Sequence, residues 1–145
     1  MPDPITIRSS LASRFPSVSA LFRRRGQAGH FRNYAREILP YAVNRYTNEV
    51  ARLYRVMDRR LADREFLAGD YSIADMACYP WTVSHERLGQ TLSDFPQLKR
   101  WYDKIAARAP VIRALKVGEE KRTAAVNIRE DDEAQEILFG IPKRA

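Results

Sequence analysis

The sequence predicts an all-α fold, a bundle of packed helices, and three observations carry that expectation. Apolar residues recur at spacings of three and four from Leu39 to Leu61. Ser72 and Asp75 stand immediately before the most apolar run of the chain, in the arrangement that starts a helix. No stretch reads as a convincing strand.

The first 25 residues form a basic arm. Met1 to Arg36 holds seven arginines and one acid, Asp3, whereas the rest of the chain has 18 basic and 17 acidic side chains. Arg8, Arg14 and Ser9, Ser10, Ser13, Ser17 and Ser19 give the arm the composition of a transit peptide. The plainer reading, which the sequence favours, is a loosely ordered start and a short helix near Ser17 to Arg24. Arg23, Arg24 and Arg25 are expected to be solvated, and Gly26 and Gly29 to mark a loop before the first long helix.

That helix spans about Leu39 to Leu61. Leu39, Val43, Tyr46, Val50, Leu53, Met57 and Leu61 form one apolar stripe, and Asn44, Asn48, Arg52, Arg55 and Arg59 face away from it. Pro40 falls in the first turn, where a missing N–H costs nothing. At 1.5 Å per residue the helix is roughly 33 Å long, enough to span a domain.

A turn at Gly69-Asp70 leads to Tyr71-Ser72-Ile73-Ala74-Asp75. Ser72 at the N-cap can accept the Asp75 N–H while the Asp75 carboxylate reaches back to the Ser72 N–H. Tyr71 and Met76 have the spacing of a hydrophobic staple. The helix that follows, Ile73 to about Leu88, is apolar nearly all round, which predicts burial at the bundle centre. Pro80 predicts a kink.

Asp94 or Ser93 is expected to cap a third helix, Phe95 to Arg108, with Phe95, Leu98, Trp101, Tyr102 and Ile105 buried and Lys99, Arg100, Asp103 and Lys104 in water. Pro110 stops it, and a short helix, Val111 to about Lys116, follows. The tail from Gly118 is polar and becomes amphipathic at Asp131 to Phe139. Its acids suit a helix N-terminus, and Gly140 and Pro142 end it.

A length of 145 residues with 45% hydrophobic content supports one domain with a real core. One cysteine excludes an internal disulfide and favours a reducing, cytoplasmic setting. No apolar run approaches the roughly 20 residues of a membrane helix. The net charge of +7 belongs to the arm, so the balanced body argues against nucleic-acid binding.

Residues able to carry chemistry are few. Cys78 lies among apolar neighbours in a helix, where burial makes a thiol inert. His30 and His85 lack metal-ligand spacing, so no metal is expected. Asp75 is explained by capping. Arg45 flanks the apolar stripe and could grip a carboxylate from a cleft, although spacing favours an ordinary i,i+4 pair with Glu49.

At Gly69-Asp70-Tyr71-Ser72-Ile73-Ala74-Asp75, followed by Met76-Ala77-Cys78-Tyr79-Pro80-Trp81, the chain resembles the capping-box helix of the glutathione transferase C-terminal domain. Phe95-Pro96, Leu98, Trp101 and Arg108 before Pro110 look like that family's next helix. Gly26-Gln27-Ala28-Gly29-His30-Phe31, Ile38-Leu39-Pro40-Tyr41-Ala42 and Arg45-Tyr46 are similar to the bacterial nu class and its fungal prion-forming relative.

The resemblance implies a helical domain at 26–116, after the arm at 1–25 and before a polar tail at 117–145 with a short helix. It implies glutathione as cofactor, bound chiefly by a thioredoxin-like domain that this sequence does not display, and a helical wall for a small hydrophobic substrate. Arg45, by its position, is implied to reach glutathione, and His30, Phe31, Asn33 and Tyr34 to line the pocket. No catalytic residue is identified in the chain, which is expected to be inactive alone, as a truncated product or a piece completed by a thioredoxin-like or homodimer partner. Two alternatives stay open: a non-catalytic helical interaction module, and a carrier using an aromatic pocket around Tyr46, Tyr54 and Trp81. Loss of a partner domain would bare an apolar face, so self-association is expected.

Overall fold

A computed structural model describes residues 24–120 and 127–143. Among these, residues 24–29 are helical and pass into a π-helical turn, His30–Tyr34, closed by the Ala35 N–H donating to the His30 carbonyl at 2.8 Å. Five α-helices follow: α1, Pro40–Arg60; α2, Ile73–Thr82; α3, Pro96–Ala106; α4, Ala109–Glu120; and α5, Asp132–Phe139. Two short 3-10 turns, Glu86–Leu88 and Leu92–Asp94, join α2 to α3. The only bridges among the described residues are isolated ones, which close the turn at Gly69, whose φ of 105° suits glycine.

The long helix forms as its periodicity requires. Val50, Leu53, Met57 and Leu61 enter the core, joined by Tyr54, and pack with Leu98, Trp101 and Ile105 of α3. Leu39 is instead a partly solvated N-cap, with Pro40 at the first helical position. At the far end, Arg100 donates to the Leu61 and Arg64 carbonyls at 2.8 and 2.9 Å, and Arg60 to the Leu67 carbonyl at 3.0 Å. Cations thereby meet the negative end of the helix dipole.

The α2 start is built around Asp75, whose residue is fully buried. Both arms of the capping box form, and the Ser72 hydroxyl also accepts from the Ala74 N–H at 3.3 Å. Asp75 Oδ2 accepts from the Ser72 N–H at 3.0 Å and hydroxyl at 3.3 Å. Asp75 Oδ1 accepts from the Leu67 N–H at 3.0 Å and the Trp101 indole N–H at 2.8 Å. One carboxylate therefore ties the loop after α1, the start of α2 and the middle of α3.

Several expectations need correction. The second helix ends at Thr82, not near Leu88: Pro80 lacks an N–H, and the Thr82 hydroxyl takes the Tyr79 carbonyl at 2.7 Å, after which the chain turns. Nor is it buried all round. Asp75, Cys78, Tyr79 and Thr82 face the core, but Ile73 is 81% and Met76 54% exposed. Tyr71 packs on Phe66 and lies 3.7 Å below the Arg108 guanidinium.

Helix α3 is not capped by Asp94 or Ser93, which both lie in the preceding 3-10 turn, and its N-cap position is held by Phe95 with no side-chain cap. Asp58 of α1 does the capping across the bundle, accepting from the Gln97 and Leu98 N–H groups at 2.8 and 2.9 Å. Pro110 starts α4 instead of only ending α3, since proline is at ease in a first turn, and α4 runs to Glu120. Gly26 and Gly29 are helical, not a loop, because Ala28 between them is drawn into the core. The expected helix at Ser17 to Arg24 lies outside the described residues except for Arg24, which is helical.

In α5, Asp131 caps as an acid should, accepting from the Ala134 N–H at 2.9 Å, and Gly140 ends the helix with φ of 66°. Its apolar side chains do not make a buried stripe. Ile137 is 74% exposed, and Gln135 is the residue buried instead.

The two capping carboxylates differ in reach, which sets the expected cost of losing them. Asp75→Ala leaves the Leu67 and Trp101 N–H groups buried without acceptors, and should lower unfolding free energy by about 3–5 kcal/mol in denaturant titration. Asp58→Ala removes a cap at a less buried site and should cost about 1–2 kcal/mol. A cost at Asp75 no greater than at Asp58 would contradict this ranking.

Burial, with the Asp75 charge adding to it, pushes the Cys78 thiol from 9.0 up to about 12. Burial raises the Tyr54 and Tyr79 hydroxyls in the same direction. Above pH 9 the unfolded chain releases these protons while the folded chain keeps them, so stability should fall as pH rises from 9 towards 12. Cys78→Ala should flatten that decline, and the native thiol should resist alkylation at neutral pH until the chain is unfolded.

Candidate functional site

Three features of the surface could hold a ligand or partner, and they lie on different elements. The first is the π-helical turn, which the 127–143 segment straps down. Arg36 pairs with Asp132 at 2.7 Å and donates to the Pro142 carbonyl at 2.8 Å. Arg129 donates to the Arg32 carbonyl at 2.7 Å, and Gln135 to those of Tyr34 and Ile128 at 2.7 and 2.8 Å. Phe139 lies edge-on to His30 at 4.7 Å and over Tyr34 at 6.3 Å. The strap is held by polar bonds and one aromatic, not by a buried apolar face.

The expected pocket residues divide around this turn. Phe31 stacks on Tyr46 of α1 with ring centroids 5.4 Å apart, and His30 lies against Phe31 and Phe139. Asn33 donates to the Gly29 and Arg87 carbonyls, both at 3.1 Å, and Tyr34 accepts from Arg87 at 3.4 Å. Asn33 and Tyr34 thus line a small polar cleft, whereas His30 and Phe31 sit with α1 and the strap. Arg45 is exposed and has no hydrogen bond or ion pair among the described residues. Its expected pair with Glu49 does not form, because Arg52 holds both Glu49 oxygens at 2.9 Å. That bidentate contact lowers the Glu49 pKa first of all, with Arg45 adding only its distant charge.

The polar cleft is the second feature. It encloses about 100 Å³ among Arg25, Gly26, Gly29, Asn33, Tyr34, Ser84, Arg87 and Leu88. Arg25 was expected in solvent but is half-buried: it donates to the Trp81 carbonyl at 3.1 Å and to the Ser84 hydroxyl, and lies 4.9 Å over the Trp81 ring. Burial holds its pKa below the ordinary value, and nearby Arg87 acts in the same direction. The sequence signalled only a run of three arginines; nothing in it set Arg25 apart or marked Ser84 and Arg87.

The third feature is an apolar groove of about 230 Å³ on the outer side of α2, walled by Met76, Tyr79, Pro80, Val83, Ile105 and the α4 residues Val111, Ala114 and Leu115. It continues the exposed face of Ile73 and Met76. The imagined pocket around Tyr46, Tyr54 and Trp81 does not open, since Tyr54 is fully buried edge-on to Phe95. Cys78 is buried, and His85 Nδ1 meets the Gln90 carbonyl at 3.0 Å. No group of three or more His, Cys, Asp or Glu among the described residues could hold a metal. No helix among them is long and apolar enough to cross a membrane.

Comparison with known proteins fits this geometry. Residues 41–109 match the family model for the glutathione S-transferase C-terminal domain. The chain is 38% identical over 111 residues to the disulfide-bond oxidoreductase YfcG of Escherichia coli (strain K12), covering 74% of this chain and 52% of that one. Against the disulfide-bond oxidoreductase YghU of the same organism it is 36% identical over 119 residues, covering 71% and 41%. A glutathione transferase family member from Pseudomonas fluorescens, solved with two glutathione bound, superposes with a TM-score of 0.63 at 31% identity, over 74% of this chain and 51% of that chain. Ure2p in complex with glutathione superposes with a TM-score of 0.61 at 30% identity, over 68% and 53%. The chain spans about half or less of the length of these curated relatives. An all-helical bundle opened by a Ser72–Asp75 capping box, matching that domain in sequence and in space, belongs to the glutathione S-transferase family and represents its C-terminal helical domain.

Proposed function

We propose that this chain supplies the helical half of a nu-class-like, glutathione-dependent transferase or disulfide reductase. A thioredoxin-like domain holds the glutathione, and residues 26–116 form the wall for a small hydrophobic substrate. The observation that carries this reading is the bare apolar side of α2. Helix α2, held by its capping box, exposes Ile73 and Met76 beside an apolar groove, and such a surface calls for a covering partner. At about 230 Å³ the groove falls below the roughly 300–1,000 Å³ of drug-sized ligand pockets. It suits one or two apolar side chains of a docked domain better than a free ligand.

In this assembly His30, Phe31, Asn33 and Tyr34 form the substrate wall beneath the strap, and the exposed Arg45 is free to meet a glutathione carboxylate as a planar fork. Cys78, buried and held protonated, is no candidate for the reactive thiol, so the chemistry rests on the thioredoxin-like domain and glutathione itself. A reducing, cytoplasmic setting fits a lone free thiol. A homodimer partner could complete the assembly in addition.

The test mixes the purified chain with the thioredoxin-like domain of a glutathione transferase and follows co-elution and glutathione-dependent reduction of a small disulfide. The chain alone should show no turnover, and the mixture should associate and turn over. Ile73→Glu with Met76→Glu should abolish association while helicity stays unchanged. Robust turnover by the chain alone, or association indifferent to the double variant, would overturn the proposal. Capture of protein partners with no response to glutathione would point instead to a non-catalytic interaction module.

A further inference from the structure

The polar cleft shares Asn33 and Tyr34 with the proposed substrate wall, but its two arginines, Arg25 and Arg87, belong to neither that wall nor the apolar groove. Two guanidinium groups line it, and none of its lining residues is an acid. Arg25 commits its Nε to the Trp81 carbonyl and one terminal nitrogen to the Ser84 hydroxyl, and Arg87 commits one terminal nitrogen to the Tyr34 hydroxyl. All three acceptors are neutral. Neither arginine has an ion pair among the described residues.

We propose that this cleft is a binding site for a small carboxylate, held between Arg25 and Arg87. Arg25 is partly desolvated and feels the charge of the exposed Arg87, and a single anion between them offsets both the burial and the repulsion. The planar guanidinium fork matches a carboxylate through two parallel N–H···O bonds, and each arginine retains uncommitted N–H groups. The space limits the ligand. About 100 Å³ leaves room for a carboxylate and a short stem. The site is preorganised: Asn33 ties the π-helical turn to the Arg87 backbone, and Trp81 supports the Arg25 guanidinium from its ring face. The carboxylate, which accepts from both guanidinium groups, belongs either to a free acid or to the end of a peptide such as glutathione.

The inference does not depend on a thioredoxin-like domain, so it is tested on the full chain alone. The Trp81 indole N–H reports on the cleft by ¹⁵N-resolved NMR, and the buried Trp101 indole, bonded to Asp75, serves as internal reference. Acetate, glutathione and inorganic phosphate are titrated separately, with chloride holding ionic strength constant. A saturable shift of Trp81 but not Trp101 with acetate supports a site open to free acids, and one with glutathione alone supports a peptide carboxylate. Arg87→Gln should weaken binding at least tenfold, and Arg113→Gln, which removes the same charge from exposed α4, should leave it unchanged. Arg87 is exposed, so its replacement should leave the fold intact, as an unchanged Trp101 signal would verify. Shifts that rise linearly without saturation, equal effects of the two variants, or phosphate binding more than tenfold tighter than acetate would overturn the proposal.

Discussion

The Asp75 carboxylate, fully buried, accepts hydrogen bonds from a loop backbone, a helix N-terminus and an indole ring. A charged group is tolerated in a core only when its acceptor sites are filled, and here four donors fill them. The arrangement makes folding of three elements conditional on one another: α2 cannot start correctly unless Leu67 and Trp101 are in place. The helical domain is thus registered by a polar knot, and the apolar contacts of α1 and α3 close around it.

That registration explains why α2 tolerates an exposed apolar face. Its position is fixed from the core side by Asp75, Cys78 and Tyr79, so Ile73 and Met76 can be left facing outward for another surface. A helix whose place depended only on hydrophobic burial would turn those residues inward or pull α4 over them. Instead α4 buries none of its residues and forms only the groove's far wall. Docking of a second domain, as proposed above, would give that face a purpose.

The π-helical turn and its strap show a different economy of forces. Little apolar area is hidden beneath the 127–143 segment, and its hold comes from Arg36, Arg129 and Gln135 reaching backbone and carboxylate oxygens. Bonds of this kind fix orientation well but contribute modest net stability, since water competes for the same groups. The substrate wall proposed at His30 to Tyr34 is therefore oriented by side chains that lie about a hundred positions away in sequence.

Local chemistry decided the parts of the molecule that the sequence alone determined. A 3.6-residue stripe, a proline at a first turn and a serine three residues before an aspartate act within one helix, so the position of α1 and the start of α2 could be read directly, while the family came from the resemblance those residues carry. The all-α class followed from the same signals. What only the tertiary structure decided involves partners distant in the chain. Asp58 takes over the cap that Asp94 or Ser93 was expected to supply, Arg25 leaves solvent for Trp81, and Arg52 instead of Arg45 claims Glu49. The apolar composition of α2 could not say which face would be covered, because burial depends on what packs against a helix and not on what the helix contains. The two-arginine cleft is the extreme case: its members lie some sixty positions apart, and only folding brings their charges together.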